Sequence, residues 1–431
     1  MLFKNFKILD KNFEIVDAEN LVTKNDRITY IGNEIPEDTH GKVIDGKGNL
    51  LMPGFYNAHA HSPMTLMRGY GEDMVLSDWL FKKIFPFEAE LDTNSVYWGT
   101  MLAVAESLRF GIVSTSDMYY FCDAMARAFI DSKAKANISR SITNLERKPF
   151  DSLDSVKELK DFIKSYNSGL NSKIIPEASL HAEYTSDEQT ALALAELTKK
   201  LNVGMQVHVS ETKKEHEECK ERHGGKTPVR YLADAGIFDT NTIAAHCVHI
   251  EEEDLSILKE KKVTVATNPV SNLKLASGLC NVLKIKDAGI NVAIGTDSVA
   301  SNNNLSFFEE MKTLALITHI KYMNPVGIKA VDALKMATSN GAIAQRRLDC
   351  GVIKVGNKAD FISVNLKSPN MNPIHDILNN LLWSATSADI DMTVVDGEVL
   401  YKSGEYYSID IERVNFEVSK ATEKITGKLN G

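Results

Sequence analysis

Apolar runs of strand length recur along the chain at residues 50–55, 112–115, 137–142, 173–180, 203–209, 242–245, 263–267 and 292–294. Between them the apolar spacing changes to that of helices. Val96, Met101, Leu102, Ala105 and Leu108 fall on one helical face, with Gly111 behind them as a C-cap candidate. Ser186-Asp187-Glu188-Gln189 opens another helix, which continues from Ala191 to Leu201. Eight strand–helix pairs over about 290 residues predict an α/β fold, a (β/α)8 TIM barrel whose chemistry sits at the C-terminal ends of its strands.

The two ends of the chain have a different rhythm. Residues 2–9 and 27–31 are rich in β-formers and are separated by the turn sequences Lys24-Asn25-Asp26 and Asp45-Gly46-Lys47-Gly48. Residues 361–364 and 392–395 are also strand-like, and Asp396-Gly397 forms a hairpin turn before Val399-Leu400-Tyr401. The expected organisation is a composite β-sandwich of residues 1–52 and 347–431, with a barrel of residues 53–346 inserted between them.

Composition narrows the class. Of 431 residues, 43% are hydrophobic and 25% charged, enough apolar material for a large core and too much for a disordered chain. The net charge of −9 argues against nucleic-acid or anionic-membrane partners. The N-terminal sequence MLFKNFKILDKNFEI has no apolar segment of the kind a signal peptide carries. Cys122, Cys219, Cys247, Cys280 and Cys350 are odd in number and widely spaced, which fits a reducing cytoplasm better than a disulfide framework.

The eleven histidines are not scattered evenly. His59 and His61 close the first predicted barrel strand, His181 the fourth, His208 the fifth and His246 the sixth, while Asp297 closes the eighth. Residues i and i+2 of a strand point the same way, so His59 and His61 can reach one point at the barrel mouth. Two imidazoles from one strand, a third from another and a carboxylate make a plausible zinc set. His40, His216, His223, His249, His319 and His375 have no such placement and read as ordinary.

With these positions marked, the chain resembles the amidohydrolase superfamily. Pro53-Gly54-Phe55-Tyr56-Asn57-Ala58-His59-Ala60-His61 is similar to its first-strand signature. His208-Val209-Ser210-Glu211, Ala245-His246-Cys247 and Gly295-Thr296-Asp297 are similar to its fifth-, sixth- and eighth-strand motifs. Trp79-Leu80, Glu88, His181 and Ser298 through Asn303 bring the resemblance nearest to the deaminases of 5′-methylthioadenosine and S-adenosylhomocysteine, with triazine chlorohydrolases and guanine deaminase as neighbours.

The resemblance implies one divalent metal held by His59, His61, His208 and Asp297, with zinc first and iron, nickel or manganese also compatible. It implies hydrolytic deamination of 5′-methylthioadenosine, S-adenosylhomocysteine or adenosine, with activated water adding to the ring carbon that bears the amino group. Asp297 takes a proton from that water, Glu211 protonates the ring nitrogen and His246 orients the attacking group. His181 contacts the purine and Glu88 accepts the ribose hydroxyls. Trp79 either packs against the thioether side or is a plain core aromatic. The relatives imply a homo-oligomer, dimer or tetramer. No lysine closes a middle strand, so a bridged two-metal site is not expected.

One part of the pattern departs. Relatives that bind homocysteine carry one arginine at the third strand, matched by Arg140, and a second in a Gly-Gly-Arg segment. Here the segment reads Asn144-Leu145-Glu146-Arg147-Lys148, which leaves Arg147 as the substitute. His181-Ala182-Glu183 lacks the Pro-Cys-x-x-Cys half of cytidine-type deaminases. His216-Glu217-Glu218-Cys219-Lys220 lacks the second histidine of HExxH and reads as a solvated helix. The alternatives are an amidohydrolase acting on guanine, a pterin or a triazine, and an inactive barrel scaffold, which the complete ligand set argues against.

Overall fold

The computed structural model describes residues 1–37 and 41–430, so His40 lies outside the described residues. Eight parallel strands form one sheet in strict chain order: Phe55–Ala60, Ile112–Tyr119, Lys135–Ile142, Ile174–Ala182, Gly204–Val209, Thr242–His246, Thr264–Thr267 and Asn291–Ile294. A parallel bridge between Ala60 and Asp297 joins the last strand to the first. Asp297 N–H donates to the carbonyl of His59 at 3.0 Å, so closure of the barrel itself sets Asp297 beside the first-strand histidines.

The first strand differs from its expected limits. The apolar run 50–55 is two elements in two sheets: Leu50–Pro53 pairs antiparallel with Phe361–Val364, whereas Phe55–Ala60 pairs with Ile112–Tyr119. The chain crosses between the sheets at Gly54, where a Cβ would lie 2.4 Å from Val113 Cγ1. Hydrophobicity cannot mark this crossing, because both elements are fully buried. The second strand also runs on to Tyr119. Its middle, Ser114-Thr115-Ser116-Asp117, is polar yet buried, so apolar patterning stops short of the strand's end at Met118-Tyr119.

The chain ends supply two further sheets. One has the four strands Leu2–Lys4, Asn20–Lys24, Arg27–Gly32 and Val43–Asp45. The other, of seven strands, interleaves Lys7–Leu9, Ile15–Val16 and Leu50–Pro53 with Phe361–Val364, Ile390–Val395, Glu398–Lys402 and Glu405–Tyr406. Phe3, Ile8, Leu21, Ile44, Phe361 and Val394 form their common core. The tail departs from the expected sandwich: Ile411–Asn430 is a helix. It buries Val414, Ala421 and Ile425 with Val96 and Trp98 of the barrel helix Thr93–Arg109. Its apolar residues recur at helical spacing, so its apolar face seats on another helix rather than in a sheet.

Helix ends follow local chemistry. Asp187 caps Glu188–Leu201 by accepting from Thr190 N–H at 2.8 Å. Glu251 caps Glu252–Glu260, with acidic residues in its first turn. No described helix is long and apolar enough to cross a membrane.

Candidate active site

The strands deliver His59, His61, His208, His246 and Asp297 to one cavity at the barrel mouth. The side-chain nitrogens of His59, His61 and His208 lie within 4.8 Å of one another. Asp297 Oδ1 is 3.3 Å from His61 Nε2 and 3.6 Å from His59 Nε2. His61 and His208 bring their Nε2 atoms to 3.4 Å.

The orientation of these rings is fixed from behind. His61 Nδ1 sits 2.6 Å from the Met118 carbonyl, and His208 Nδ1 sits 2.6 Å from the His181 carbonyl. A carbonyl can only accept, so each Nδ1 is the N–H and each Nε2 lone pair faces the cavity. Both nitrogens of the fully buried His59 have no protein partner. Buried polar atoms left this way are expensive, and a cation facing the converging lone pairs and carboxylate would satisfy Nε2, the His59 nitrogen on the Asp297 side. The donor set therefore fits a divalent metal.

Charge follows the same design. Burial and the neighbouring imidazoles hold His59 and His208 well below the usual imidazole range, which keeps them neutral, whereas at His61 the facing Asp297 carboxylate outweighs burial and raises the imidazole to about 8, a proton that a bound cation would displace. Burial would raise the Asp297 carboxyl, but His61 and the other imidazoles outweigh it and hold it well below the usual range. Ser271 and Ser301 hydroxyls donate to Asp297 Oδ2 at 2.6 and 3.2 Å, leaving Oδ1 for the histidine side.

Glu211 and His246 form the second tier. Glu211 Oε2 is 3.8 Å from His246 Nε2. Ser277 donates to Glu211 Oε1 at 3.2 Å, and the Glu211 N–H donates to Glu215. His246 Nδ1 donates to Asn272 Oδ1 at 2.8 Å. Asn268 Nδ2 also lies 3.2 Å from that nitrogen, but one Nδ1 cannot both donate and accept, and the shorter contact decides the tautomer. Ser210, His246, Cys247 and Asp297 all have positive φ. These left-handed residues bend the fifth, sixth and eighth strand ends into the mouth, and backbone strain of this kind concentrates at functional sites.

The rest of the cavity is assembled from farther along the chain. Glu88, at the end of Phe85–Glu88, accepts from Tyr119 Oη at 2.6 Å. Burial raises its carboxyl to about 7 against the lowering by Tyr119 and His61. Trp79 is buried and lines the cavity with Glu88, His181 and Tyr120. His181 Nδ1 lies 3.2 Å from Thr185 Oγ1, and burial lowers its imidazole to about 4.

A model of the amidohydrolase family matches residues 50–400. The chain belongs to this family. Among relatives similar to this amidohydrolase is a 5-methylthioadenosine/S-adenosylhomocysteine deaminase of Caldanaerobacter subterraneus, 39% identical over 99% of this chain and 98% of the relative. Another is a 5′-deoxyadenosine deaminase of Methanosarcina acetivorans, 38% identical over 100% and 99%. In solved structures, an adenosine deaminase from Xanthomonas campestris with bound zinc superposes with a TM-score of 0.92 at 27% identity, covering 99% of this chain and 98% of that one. An atrazine chlorohydrolase from Arthrobacter aurescens, at 21% identity and a TM-score of 0.91 over 98% and 99%, shares the fold.

Two sequence-derived candidates of this amidohydrolase fall outside the cavity. Arg140 lies in a neighbouring cavity of 440 Å³, its Nε 2.5 Å from Glu158 and its guanidinium 5.0 Å from the Tyr120 ring centre. Arg147 is exposed and lines neither cavity. It sits on a turn with φ of 53°. His216 is also not solvated as expected: it is buried, with Nε2 3.1 Å from Glu251.

Other site residues carried no sequence signal strong enough to select them. Asn272, Ser271 and Ser277 follow the seventh strand, whose end supplies no histidine or acid. The polar stretch Asn268–Asn272, placed directly behind an apolar strand at the barrel mouth, is the sign that could have marked them. Asp117 is hidden by its neighbours. It is fully buried and accepts the Ser62 N–H at 3.1 Å, so it fixes the turn after His61.

Proposed function

We propose that this amidohydrolase is a hydrolytic deaminase of adenosine-type nucleosides. The observation that carries the reading is the pairing of Glu211 with His246 beside the converging donor set, in a cavity that presents Glu88 among its other lining groups. The names of the full-length relatives support the same substrate class.

His59, His61, His208 and Asp297 would hold one divalent metal, with zinc first because a similar adenosine deaminase contains it. When bound, such an ion supplies Lewis acidity that brings the pKa of water to about 7. Asp297 then accepts a proton from the attacking water through the oxygen that its serine contacts leave free. His246 accepts from that water at Nε2 and so orients it, since the contact with Asn272 holds the ring proton on Nδ1. Glu211 carries a proton to the ring nitrogen and then to the departing ammonia, so water is consumed and ammonia released. His181 contacts a purine heteroatom. Glu88 accepts the ribose hydroxyls, and Trp79 forms a wall beside the sugar.

Residues 53–346 form the catalytic unit in this reading, supported by the strands of 1–52 and 347–431. Five free, buried cysteines support a reducing compartment, the cytoplasm. Homo-oligomerisation to a dimer or tetramer is checked by sedimentation. The activity is tested by ammonia release from the metal-loaded protein on adenosine, 5′-deoxyadenosine, 5′-methylthioadenosine, S-adenosylhomocysteine, guanine and cytosine. Release from purine nucleosides is expected, and release from guanine alone would replace the nucleoside reading with a nucleobase one.

A further inference from the structure

What the nucleoside carries on its 5′ carbon is a separate question, and the inference here rests on the deaminase reading. One wall of the cavity is a single stretch of chain. Short α-helical turns, Leu76–Trp79 and Phe85–Glu88, flank a wider π-turn at Leu80–Ile84. Turns of this kind recur at functional sites. The stretch brings Trp79, Leu80, Ile84 and Phe85 to the cavity and ends on Glu88.

No long basic side chain of the described residues reaches the part of the cavity beside this wall. Among the described residues lining it there is no lysine or arginine, while Glu88, Glu211 and Asp297 are all acidic. The guanidinium that the family resemblance matched to a substrate carboxylate is Arg140. It lies behind Tyr120, which lines both cavities, and it is already engaged by Glu158 and by the Ser141 carbonyl, each at 2.5 Å. Asp123, Glu158 and Asp161 also line its cavity, so an anion entering there would meet more negative than positive groups.

We infer that the cavity face formed by Trp79, Leu80, Ile84 and Phe85 is a charge filter, which admits adenosine-type nucleosides with an uncharged, apolar 5′ substituent and rejects those whose 5′ substituent ends in a carboxylate; Lys82 and Lys83 of the same stretch do not line the cavity, Lys82 pairing with Asp78 at 2.8 Å and Lys83 lying over the Tyr70 ring. A methyl or alkylthio group placed against these side chains leaves water for apolar surface, which is favourable. A carboxylate placed there loses its hydration and gains no cation, and an unpaired charge taken from water is costly.

The test compares kcat/KM of the metal-loaded enzyme for 5′-methylthioadenosine, 5′-butylthioadenosine and S-adenosylhomocysteine. The butylthio compound lengthens the 5′ chain without adding charge, so it separates size from charge. The expected result is turnover of both neutral nucleosides, with S-adenosylhomocysteine lower than the butylthio compound by about 10-fold or more. Leu80→Arg, which places a cation on the wall, should narrow that gap in protein that still binds metal. A gap smaller than this in the wild type, equal rejection of the butylthio compound, or an unchanged gap in Leu80→Arg overturns the charge filter. Turnover of none of the three removes the deaminase reading and this inference together, whereas equal turnover of all three removes only the inference.

Discussion

Glu211 and His246 face each other at 3.8 Å from the ends of adjacent barrel strands, and each is held by a residue from the segment after the seventh strand. Asn272 fixes the ring of His246 and Ser277 restrains the carboxylate of Glu211. The two groups to which the proposed mechanism gives proton transfer and water orientation are thus positioned by one connecting segment.

Asn272 is therefore a positioning residue. Asn272→Ala frees the His246 ring to rotate and to exchange tautomers, and should lower kcat by about 10-fold or more with KM and metal content little changed. Asn272→Asp keeps an acceptor for the Nδ1 proton and should recover part of the loss. A variant pair with equal kcat would remove the orienting role.

The metal set predicts a contrast between two histidines. His208→Ala removes a cavity-facing lone pair and should lower metal content well below one per chain by elemental analysis. His249 points its Nε2 at the Ser277 carbonyl, 2.7 Å away, rather than at the donor set. His249→Ala should keep the metal, while loosening Ser277 and with it Glu211. Metal loss in both variants would contradict the assignment.

The proposed contact of Glu88 with ribose predicts a pH dependence of substrate binding. Its carboxyl is raised to about 7 by burial, so near neutrality it is partly protonated. Ribose hydroxyls are accepted best by the carboxylate, so kcat/KM should rise as pH climbs through about 7. Glu88→Gln should raise KM and flatten that rise. An unchanged profile in the variant would mean that another group controls it.

The sequence alone revealed those parts of the site that depend on residue identity at strand ends. His59, His61, His208, His246 and Asp297 each terminate or follow an apolar strand, so barrel periodicity alone brings them together. What it left hidden depends on contacts between distant segments. Asn272 reaches the cavity from a connecting segment with no periodicity to reveal it, and Glu88, at the end of a stretch of irregular turns, was marked only by the family resemblance. Arg140 was placed on the correct strand, but its pairing with Glu158 turns on where the helix Asp154–Tyr166 packs. The crossing at Gly54 was hidden because two sheets share one apolar run.

Below the site, Lys135 and Asp360 tie the barrel to the sandwich. Lys135 Nζ is 2.5 Å from Asp360, which also accepts from Tyr56 Oη at 2.6 Å. Burial would raise this carboxyl, but Lys135, the Asp396 N–H and Tyr56 together hold it at about 2. Its folded value lies below the ordinary value of about 3.9, so its stabilisation is complete above pH ~4 and is lost as pH falls toward ~2. Lys135→Met leaves the carboxylate buried and unpaired and should cost about 3–5 kcal/mol at neutral pH. Denaturant unfolding measures both effects, and a loss under ~1 kcal/mol would show the pair to be dispensable.

The most direct measurement compares wild type and Glu211→Gln, both metal-loaded, for ammonia release from 5′-methylthioadenosine. Wild type should release ammonia, and the variant should lose about 10²–10⁴-fold in kcat while retaining one divalent ion per chain. A metal-replete Glu211→Gln protein that turns over at the wild-type rate would contradict the assignment of Glu211 as the proton carrier of a hydrolytic deaminase.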